Sequence, residues 1–468
     1  MVKAGVLFLC CFLSLAAFAQ TKPNIVLIVA DDLGYGDLGC YGQKRIETPN
    51  IDQMAAGGIR FTQFYAGTSV CAPSRSALLT GQHTGHTPVR GNYEIQPEGQ
   101  LPLPDTAYTM AEMLKEAGYA TGDFGKWGLG YPGSEGTPNH QGFDRFFGYN
   151  CQRQSHNYFP DHLWNNDTRI DYANTSVNQQ HYAPDLIQKE ALAFIDEHKE
   201  APFFLYLSYT LPHAALQLPK DDSVFAYYRR KLNETAKPIP DEWNGKGYQP
   251  QAYPHAAYAA MVTRLDHYVG QVVEKLTILG IEKNTLIIFT SDNGPHHEGG
   301  NDPAFFNSNG GFRGIKRDLY EGGIRIPMIA YWPAVIKKTK VSGFTGAFWD
   351  FMPTFAAIAG APPPPHADGI SLLPEISSQG KQKEHEFLYW EFHEDGGRQA
   401  VRTGKWKGVR LNVMKEPNSS MELYNLDADA GETKDVAAEN PAVVDRINKI
   451  MQHEHTEHIN FPFIKNEK

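Results

Sequence analysis

The sequence NIVLIVADDLG, residues 24–34, decides the fold of this chain. Its first seven residues form a nearly continuous apolar run that is rich in β-branched side chains, and Asp31 and Asp32 follow where the run ends. Two similar runs, PFFLYLSY at 202–209 and TLIIFT at 285–290, are also followed by polar residues. Continuous apolar runs of this length are typical of strands that are buried on both faces of a mostly parallel sheet. We therefore expect three central strands of one sheet.

Helical patterns separate these strands, at 108–117, 184–198 and 257–279. Alternation of strands and helices is typical of a three-layer α/β/α domain with a mostly parallel, mixed sheet. In such a sheet, ligands bind beyond the carboxyl ends of the strands. The chemistry should therefore collect around the acidic and imidazole residues that follow the three runs.

The last part of the chain predicts a smaller α+β domain. A helix is expected over 344–359, and beyond Glu375 the composition shifts to serine, glycine, lysine and glutamate, as in a linker. Four short strands and a terminal helix are then predicted, at 387–392, 399–402, 406–411, 422–425 and 441–453. These patterns predict a catalytic α/β domain at 20–378 and a C-terminal α+β domain at 379–468.

Charge and the N-terminal residues narrow the class of protein. The net charge is −10 and the isoelectric point is about 6.0, which gives a general nucleic-acid-binding role no electrostatic support. Residues 1–19 resemble a secretion signal, with Lys3, an apolar run at 6–15 and an A-x-A cleavage pattern at 17–19. The apolar run is too short to favour a membrane span. We therefore expect a periplasmic or secreted protein without a membrane anchor.

The cysteines are too few for a disulfide framework. Cys10 and Cys11 leave with the signal, and Cys40, Cys71 and Cys151 remain in the mature chain. If Cys71 is modified, Cys40 and Cys151 are the two that could form a disulfide, but two buried free thiols are the favoured interpretation.

The segment CAPSRSALLTG, residues 71–81, places a cysteine just before a predicted helix. Pro73 suits the first helical turn and Gly81 can end the helix. Cys71 would then lie at the positive end of the helix dipole, and Arg75, one turn later, can point to the same place. By chemistry alone, this pattern predicts an activated thiol beside a site for an anion.

The pattern Cys-x-Pro-Ser-Arg followed by Leu-Thr-Gly resembles the signature of the type I sulfatases, a family of the alkaline phosphatase superfamily. The resemblance implies that a formylglycine-generating or sulfatase-maturing enzyme oxidises Cys71 to formylglycine (3-oxoalanine). In the family the hydrated aldehyde of this residue is the nucleophile, which Arg75 orients.

A metal site is predicted where two of the strands end. Asp31, Asp32, Asp292 and Asn293 offer hard oxygen ligands, and the Cys/His spacing of a zinc site is absent. Oxygen ligands favour Ca²⁺ or Mg²⁺. The resemblance implies the calcium site of the family, which the modified Cys71 and a sulfate oxygen complete.

Three further elements resemble the sulfate pocket of the family. They are Gly-Lys-Trp-Gly-Leu-Gly with Lys126, Leu-Pro-His with His213, and the segment 314–327 with Lys316. The resemblance implies that Lys126 and Lys316 bind sulfate and that His213 protonates the leaving alcohol oxygen. Fixed cations around sulfur would stabilise the negative charge that develops on its oxygens.

The chain departs from the family pattern at Gly128, where a histidine is usual. Either His83 or His156 could substitute for it, and the glycine is expected to open space beside the sulfur atom. His296 lies on a loop that leaves the metal site, so we expect it to contact the substrate.

These features predict a sulfuric ester hydrolase that acts on a sulfated carbohydrate. The loops at 153–164 and 296–309 are rich in polar and aromatic residues, which suits a hydroxylated ring. Two alternatives remain, a phosphate or phosphonate ester hydrolase of the same superfamily, and a non-catalytic protein that binds sulfated glycans if Cys71 is unmodified.

Overall fold

A computed structural model describes residues 22–175, 178–240 and 247–463. The predicted signal at 1–19, with Cys10 and Cys11, lies outside the described residues. Within them, no helix is both long and apolar enough to cross a membrane.

A ten-stranded mixed sheet forms the larger part of the molecule, in the order β10-β2-β9-β8-β1-β7-β3-β4-β5-β6. The five strands β8, β1, β7, β3 and β4 are mutually parallel and form its middle. The strands are β1 Asn24–Ala30, β2 Ile59–Tyr65, β3 Ala120–Lys126, β4 Arg145–Tyr149, β5 His162–Asn165, β6 Thr168–Asp171, β7 Phe203–Ser208, β8 Thr285–Ser291, β9 Arg325–Tyr331 and β10 Lys340–Ala347.

Helices cover both faces of this sheet. The alternate side chains of β1 therefore enter two separate cores. Val26 and Ile28 pack in a core with residues of α4 and α6, while Leu27 and Val29 pack with residues of α2, α3 and α9. The helices are α1 Pro49–Ala56, α2 Cys71–Thr80, α3 Met110–Glu116, α4 Ala183–His198, α5 Ser223–Leu232, α6 Pro254–Ile278, α7 Pro303–Phe306, α8 Glu321–Ile324, α9 Phe351–Ala359, α10 Leu373–Ser377 and α11 Pro441–Glu454.

A second, antiparallel sheet lies toward the C-terminus, in the order β11-β12-β13-β14. The helix α11 packs Ile447 and Met451 on one face of it. Its other face packs Trp390 with Tyr65 and Trp349 of the larger part. The four strands are β11 Leu388–Phe392, β12 Arg398–Thr403, β13 Trp406–Leu411 and β14 Met421–Asn425.

The predicted fold class is confirmed, and the three central strands begin and end within about one residue of the predicted bounds. The helix predicted at 344–359 is wrong in its first part. Residues 344–347 belong to β10, which pairs in parallel with β2, and the helix α9 begins only at Phe351. The domain boundary between 378 and 379 stays a prediction.

Cys40, Cys71 and Cys151 are all free thiols. Cys151 is buried as expected, but Cys40 is only partly buried.

Candidate active site

Four carboxylate and amide side chains meet at the carboxyl ends of β1 and β8. These strands are neighbours, with Ala30 opposite Ser291, so the residues that follow them leave the sheet side by side. The backbone amide of Asp32 donates a hydrogen bond to Asp292 Oδ1 over 3.1 Å, and Asp32 has a positive φ of 63°. The turn after β1 is therefore fixed by a side chain from the turn after β8.

The cluster formed by Asp31, Asp32, Asp292 and Asn293 is fully buried. Asn293 Nδ2 donates to Asp32 Oδ1 over 2.7 Å, while Asn293 Oδ1 is buried and has no partner among the described residues. Ligand atoms of Asp31, Asp32 and Cys71 also lie within 4.8 Å of one another. A set of carboxylate oxygens with an unpartnered amide oxygen fits a hard cation such as Ca²⁺.

Three buried cations face these carboxylates. Lys126 Nζ lies 2.6 Å from Asp31 Oδ2, and Lys316 Nζ lies 2.7 Å from Asp32 Oδ2. Burial alone would raise the pKa of Asp31, but Lys126 and the other nearby cationic groups hold it far below its usual range. By contrast, burial and then Asp31 raise the pKa of Asp292 to about 7. Within the cluster, burial and Asp31 therefore oppose the ionisation of Asp292 in particular.

Arg75 binds Asp292 rather than pointing at Cys71. Its Nε and Nη2 lie 3.1 and 3.0 Å from Asp292 Oδ2, and its Nη1 donates to the backbone oxygen of Lys126 over 2.7 Å. Arg75 therefore ties α2, whose first residue is Cys71, to the ends of β8 and β3.

Cys71 is the first residue of α2, one position inside the helix rather than just before it as predicted, and it is 3% exposed. Its Sγ donates to Asp31 Oδ1 over 3.3 Å. Burial, and then Asp31, raise the pKa of this thiol above its usual range. The prediction of an activated thiol is therefore wrong, since burial and the neighbouring carboxylate outweigh the helix dipole and keep the sulfur protonated.

The His213 ring is held in one orientation by its neighbours. Its Nδ1 hydrogen-bonds the backbone oxygen of Ala214, and its Nε2 lies 3.1 Å from Lys316 Nζ and 3.4 Å from Asp32 Oδ2. The hydroxyl of Tyr158 donates to the backbone oxygen of His213 over 2.8 Å, which supports the loop. Burial, and then Lys316, hold the pKa of His213 well below its usual range.

The structure places the other three predicted histidines differently. His156 stacks on His213 with ring centres 4.6 Å apart and lines the cavity in front of Cys71. His296 is fully buried, with Nε2 3.1 Å from the oxygen of Pro212, so it supports the His213 loop and does not line that cavity.

His83 is one of two histidines, with His156, that could substitute for the missing one from the sequence, and its position does not support that role. Its ring stacks on His86 at 4.2 Å, and its Nε2 lies 3.1 Å from Glu454 Oε2 of α11. His83 does not line the cavity in front of Cys71, because its backbone amide is bound by Asp368 and its ring faces the C-terminal helix.

The loop that carries Lys316 is held by the C-terminal sheet. The loop leads into α8, whose first residue is Glu321. Lys407 Nζ, on β13, lies 2.9 Å from Glu321 Oε1 and 3.1 Å from Glu432 Oε1. Burial opposes ionisation of Glu321, but Lys407 and then Arg325 lower its pKa to about 2. All three side chains of this buried ion network, Lys407, Glu321 and Glu432, are fully buried.

A cavity of about 500 Å³ opens in front of Cys71, and its wall includes His156, His213 and Lys316. Polar residues that the sequence reasoning did not single out form most of the remaining wall, namely Asn92, Glu94, Gln100, Gln152, Asn157, Tyr248 and Arg317. They come from separate loops, so no spacing in the sequence would have grouped them. The spacious region expected beside Gly128 is in fact filled by Gln152.

Comparisons with known proteins agree with this geometry. The sulfatase family model matches residues 23–361, and a model described as N-sulphoglucosamine sulphohydrolase, C-terminal, matches residues 311–459. Human arylsulfatase A is 34% identical over 466 residues, covering 92% of this chain and 87% of that protein. Mouse N-acetylgalactosamine-6-sulfatase is 34% identical over 402 residues, covering 80% of this chain and 70% of that protein.

Solved structures are also similar. The crystal structure of Ps i-CgsB has a TM-score of 0.76 and 31% identity, covering 93% of each chain. A phosphonate monoester hydrolase of Agrobacterium radiobacter has a TM-score of 0.65 at 19% identity, covering 92% of this chain and 95% of that chain, and this likeness concerns the fold alone. From the family match and the relatives of similar length, this chain belongs to the sulfatase family and is a sulfuric ester hydrolase.

Proposed function

We propose that this enzyme removes sulfate from a sulfated carbohydrate, with a nucleophile made from Cys71 and a bound calcium ion. The observation that carries the proposal is the polar cavity in which Cys71 meets Lys316 and His213. A crystal structure of Ps i-CgsB in complex with k-i-k-neocarrahexaose, again with a TM-score of 0.76 and 31% identity, supports the choice of a carbohydrate.

The proposal assigns the metal to Asp31, Asp32, Asp292 and Asn293, with the modified Cys71 beside them. Formylglycine at Cys71 would supply a hydrated aldehyde as the nucleophile, and calcium would supply a Lewis acid for the sulfuryl oxygens. A formylglycine-generating or sulfatase-maturing enzyme is the partner that this chemistry requires.

The chain's own residues bind the sulfate group and manage its proton. Lys126 and Lys316 bind sulfuryl oxygens as ammonium groups, because Asp31 and Asp32 raise their pKa against the opposing effect of burial. His213 Nε2 gives its proton to the departing alcohol oxygen. Burial and then Lys316 hold the pKa of His213 low in the free site, and an anionic sulfate beside Lys316 offsets the part that is due to this lysine.

The cavity wall favours a hydroxylated substrate over a flat apolar one. Asn92, Gln100, Gln152 and Asn157 line the cavity with four carboxamide groups, and the Nε2 of Gln152 has no hydrogen-bond partner among the described residues. Tyr248 and His156 add two rings that lie 5.1 Å apart. Amide groups can hydrogen-bond the hydroxyls of a pyranose, and aromatic rings can pack on its apolar faces.

A panel of sulfate esters tests the carbohydrate assignment. We expect kcat/KM for at least one sulfated monosaccharide or oligosaccharide to exceed that for every steroid or simple aryl sulfate. A steroid or aryl sulfate that is better than all the sugars would overturn the carbohydrate assignment and leave the sulfatase assignment in place. Matched phosphate and phosphonate esters in the same panel test the phosphoryl-transfer alternative.

The metal assignment predicts a calcium-dependent stability. At free Ca²⁺ a hundredfold above its Kd, the free energy of unfolding should rise by about 2.7 kcal/mol relative to chelated protein. Calorimetric melting of chelated protein titrated with Ca²⁺ measures this increase, and Mg²⁺ should give a smaller one.

Matched variants locate this effect. Asp292→Asn should lose most of the Ca²⁺-dependent rise in melting temperature, because the variant lacks one of the proposed ligand charges. Asp266→Asn is the control, since Asp266 is a buried carboxylate of α6 that accepts from the amide of Ile51, outside the cluster. An equal Ca²⁺ response in wild type and Asp292→Asn would contradict the site.

The place of action is proposed to be the periplasm or the outside of the cell. This proposal rests on the signal-like pattern at 1–19. Mass spectrometry of the exported protein should find Gln20 as its first residue, and a retained N-terminus would contradict it.

A further inference from the structure

Gly128 and Gln152 form a complementary pair at the wall of the active-site cavity. Gly128 has a φ of +77°, and a Cβ atom built on it would lie only 2.2 Å from Gln152 Nε2. Residues other than glycine rarely adopt that backbone φ. A larger residue at position 128 would therefore strain the backbone and would displace the carboxamide that occupies its place.

Hydrogen bonds fix the backbone of Gln152 beside Gly128. Its amide donates to Gln100 Oε1 over 2.8 Å, and its carbonyl accepts from the Ser155 hydroxyl over 2.6 Å. The backbone amide of Gly128 donates to Asn150 over 3.1 Å, which holds the two segments together. Backbone hydrogen bonds therefore keep the segments that carry Gly128 and Gln152 side by side.

The carboxamide of Gln152 has an unused donor. Gln152 is 7% exposed, and its Nε2 has no hydrogen-bond partner among the described residues. Buried amide groups are normally paired, because an unpaired donor costs free energy. An unpaired group of this kind at the wall of a cavity points to a ligand that completes it.

The position relates Gln152 to the reacting group. Lys126 lies two residues before Gly128 and binds Asp31, which in turn accepts from Cys71 Sγ. Gln152 and Cys71 line the same cavity. A substrate whose sulfate reaches Cys71 therefore occupies a cavity that Gln152 also lines.

We propose that the Gln152 carboxamide is a specificity-determining group that donates a hydrogen bond to a sugar hydroxyl next to the sulfate ester. This inference rests on the proposed carbohydrate sulfatase function. An amide has no acid–base equilibrium near neutral pH, so Gln152 takes the space beside position 128 without supplying a general acid or base. It selects substrates by their hydroxyl pattern.

Gln152→Met tests the proposal, because methionine has nearly the same length and no donor. We expect kcat/KM for the best sulfated sugar to fall by about 10- to 100-fold, mostly through KM, as for a lost buried hydrogen bond. The ratio of kcat/KM for that sugar to kcat/KM for a simple aryl sulfate should fall about tenfold or more. The melting temperature should stay level or rise, because an unpaired polar group is removed.

The control is Gln154→Met, which changes the same residue type two positions along. Gln154 Nε2 donates to the His162 backbone over 3.0 Å, and Gln154 does not line the cavity. In this control the sugar-to-aryl ratio should match that of the wild type. The inference would be overturned if a folded Gln152→Met variant, with Cys71 converted to formylglycine, kept the wild-type sugar-to-aryl ratio of kcat/KM. Turnover of the sulfated sugar by the wild type would still uphold the proposed function in that case.

Discussion

Cys71→Ala is expected to remove sulfatase turnover, with a loss of about 10⁶-fold in kcat. The proposed nucleophile is made from this one side chain, and the structure shows no second hydroxyl or thiol in the cavity wall apart from the Tyr248 phenol among the described residues. The fold should persist, since Cys71 Sγ makes one hydrogen bond, to Asp31. Initial rates with the best ester of the panel measure the loss.

The control for this variant is Cys40→Ala, another free cysteine outside the cavity. It should keep turnover within about twofold, as for a site without contact to the substrate. Intact-mass measurement of the wild type should show the mass deficit of an aldehyde in place of CH₂SH. Wild-type rates in Cys71→Ala would exclude the mechanism, and a wild type that binds glycans with an unconverted cysteine would favour the non-catalytic alternative.

Lys407→Met is expected to lower the free energy of unfolding by about 3–5 kcal/mol. It removes the buried ammonium group that lies 2.9 Å from Glu321 and 3.1 Å from Glu432. Two carboxyl groups would then share one dry pocket, and burial already raises the pKa of Glu432 to about 7, with Glu321 adding to this rise. Urea unfolding followed by tryptophan fluorescence measures the change.

Lys405→Met is the matched control, because Lys405 is exposed in the turn between β12 and β13, two residues before Lys407. It should change stability by less than about 0.5 kcal/mol. Equal urea midpoints for the two variants would contradict a structural role for the buried ion network. Lys407→Met should also lower turnover, since Glu321 follows the loop that carries Lys316.

Local pattern was enough to predict the strands that build the site. The runs at 24–30, 202–209 and 285–290 are strands because unbroken apolar sequence suits a sheet that is covered on both faces. The segment 344–347 was predicted as helix because it continues into the apolar helix at 351–359. Its strand conformation depends on pairing with β2, nearly three hundred residues earlier, which no local signal reports.

The candidate site also has a part that the sequence could predict and a part that it could not. Asp31 and Asp292 could be predicted to meet, since parallel neighbouring strands end at one edge. The role of Gln152 could not, because its relation to Gly128 is a contact between two loops. His83 is a candidate because it is close to Cys71 in sequence. Cys71 begins the ten-residue buried helix α2, however, and His83 follows the other end of that helix.

The burial of α2 also sets an order of events in biosynthesis. All ten of its residues are buried, and Cys71 is 3% exposed at its first position. If Cys71 is converted as proposed, the converting enzyme needs access to a side chain that the packed helix buries, so conversion would precede packing of the helix into the core. A host that lacks such an enzyme would therefore accumulate a well-folded but inactive protein, and later exposure to the enzyme would rescue it only after unfolding.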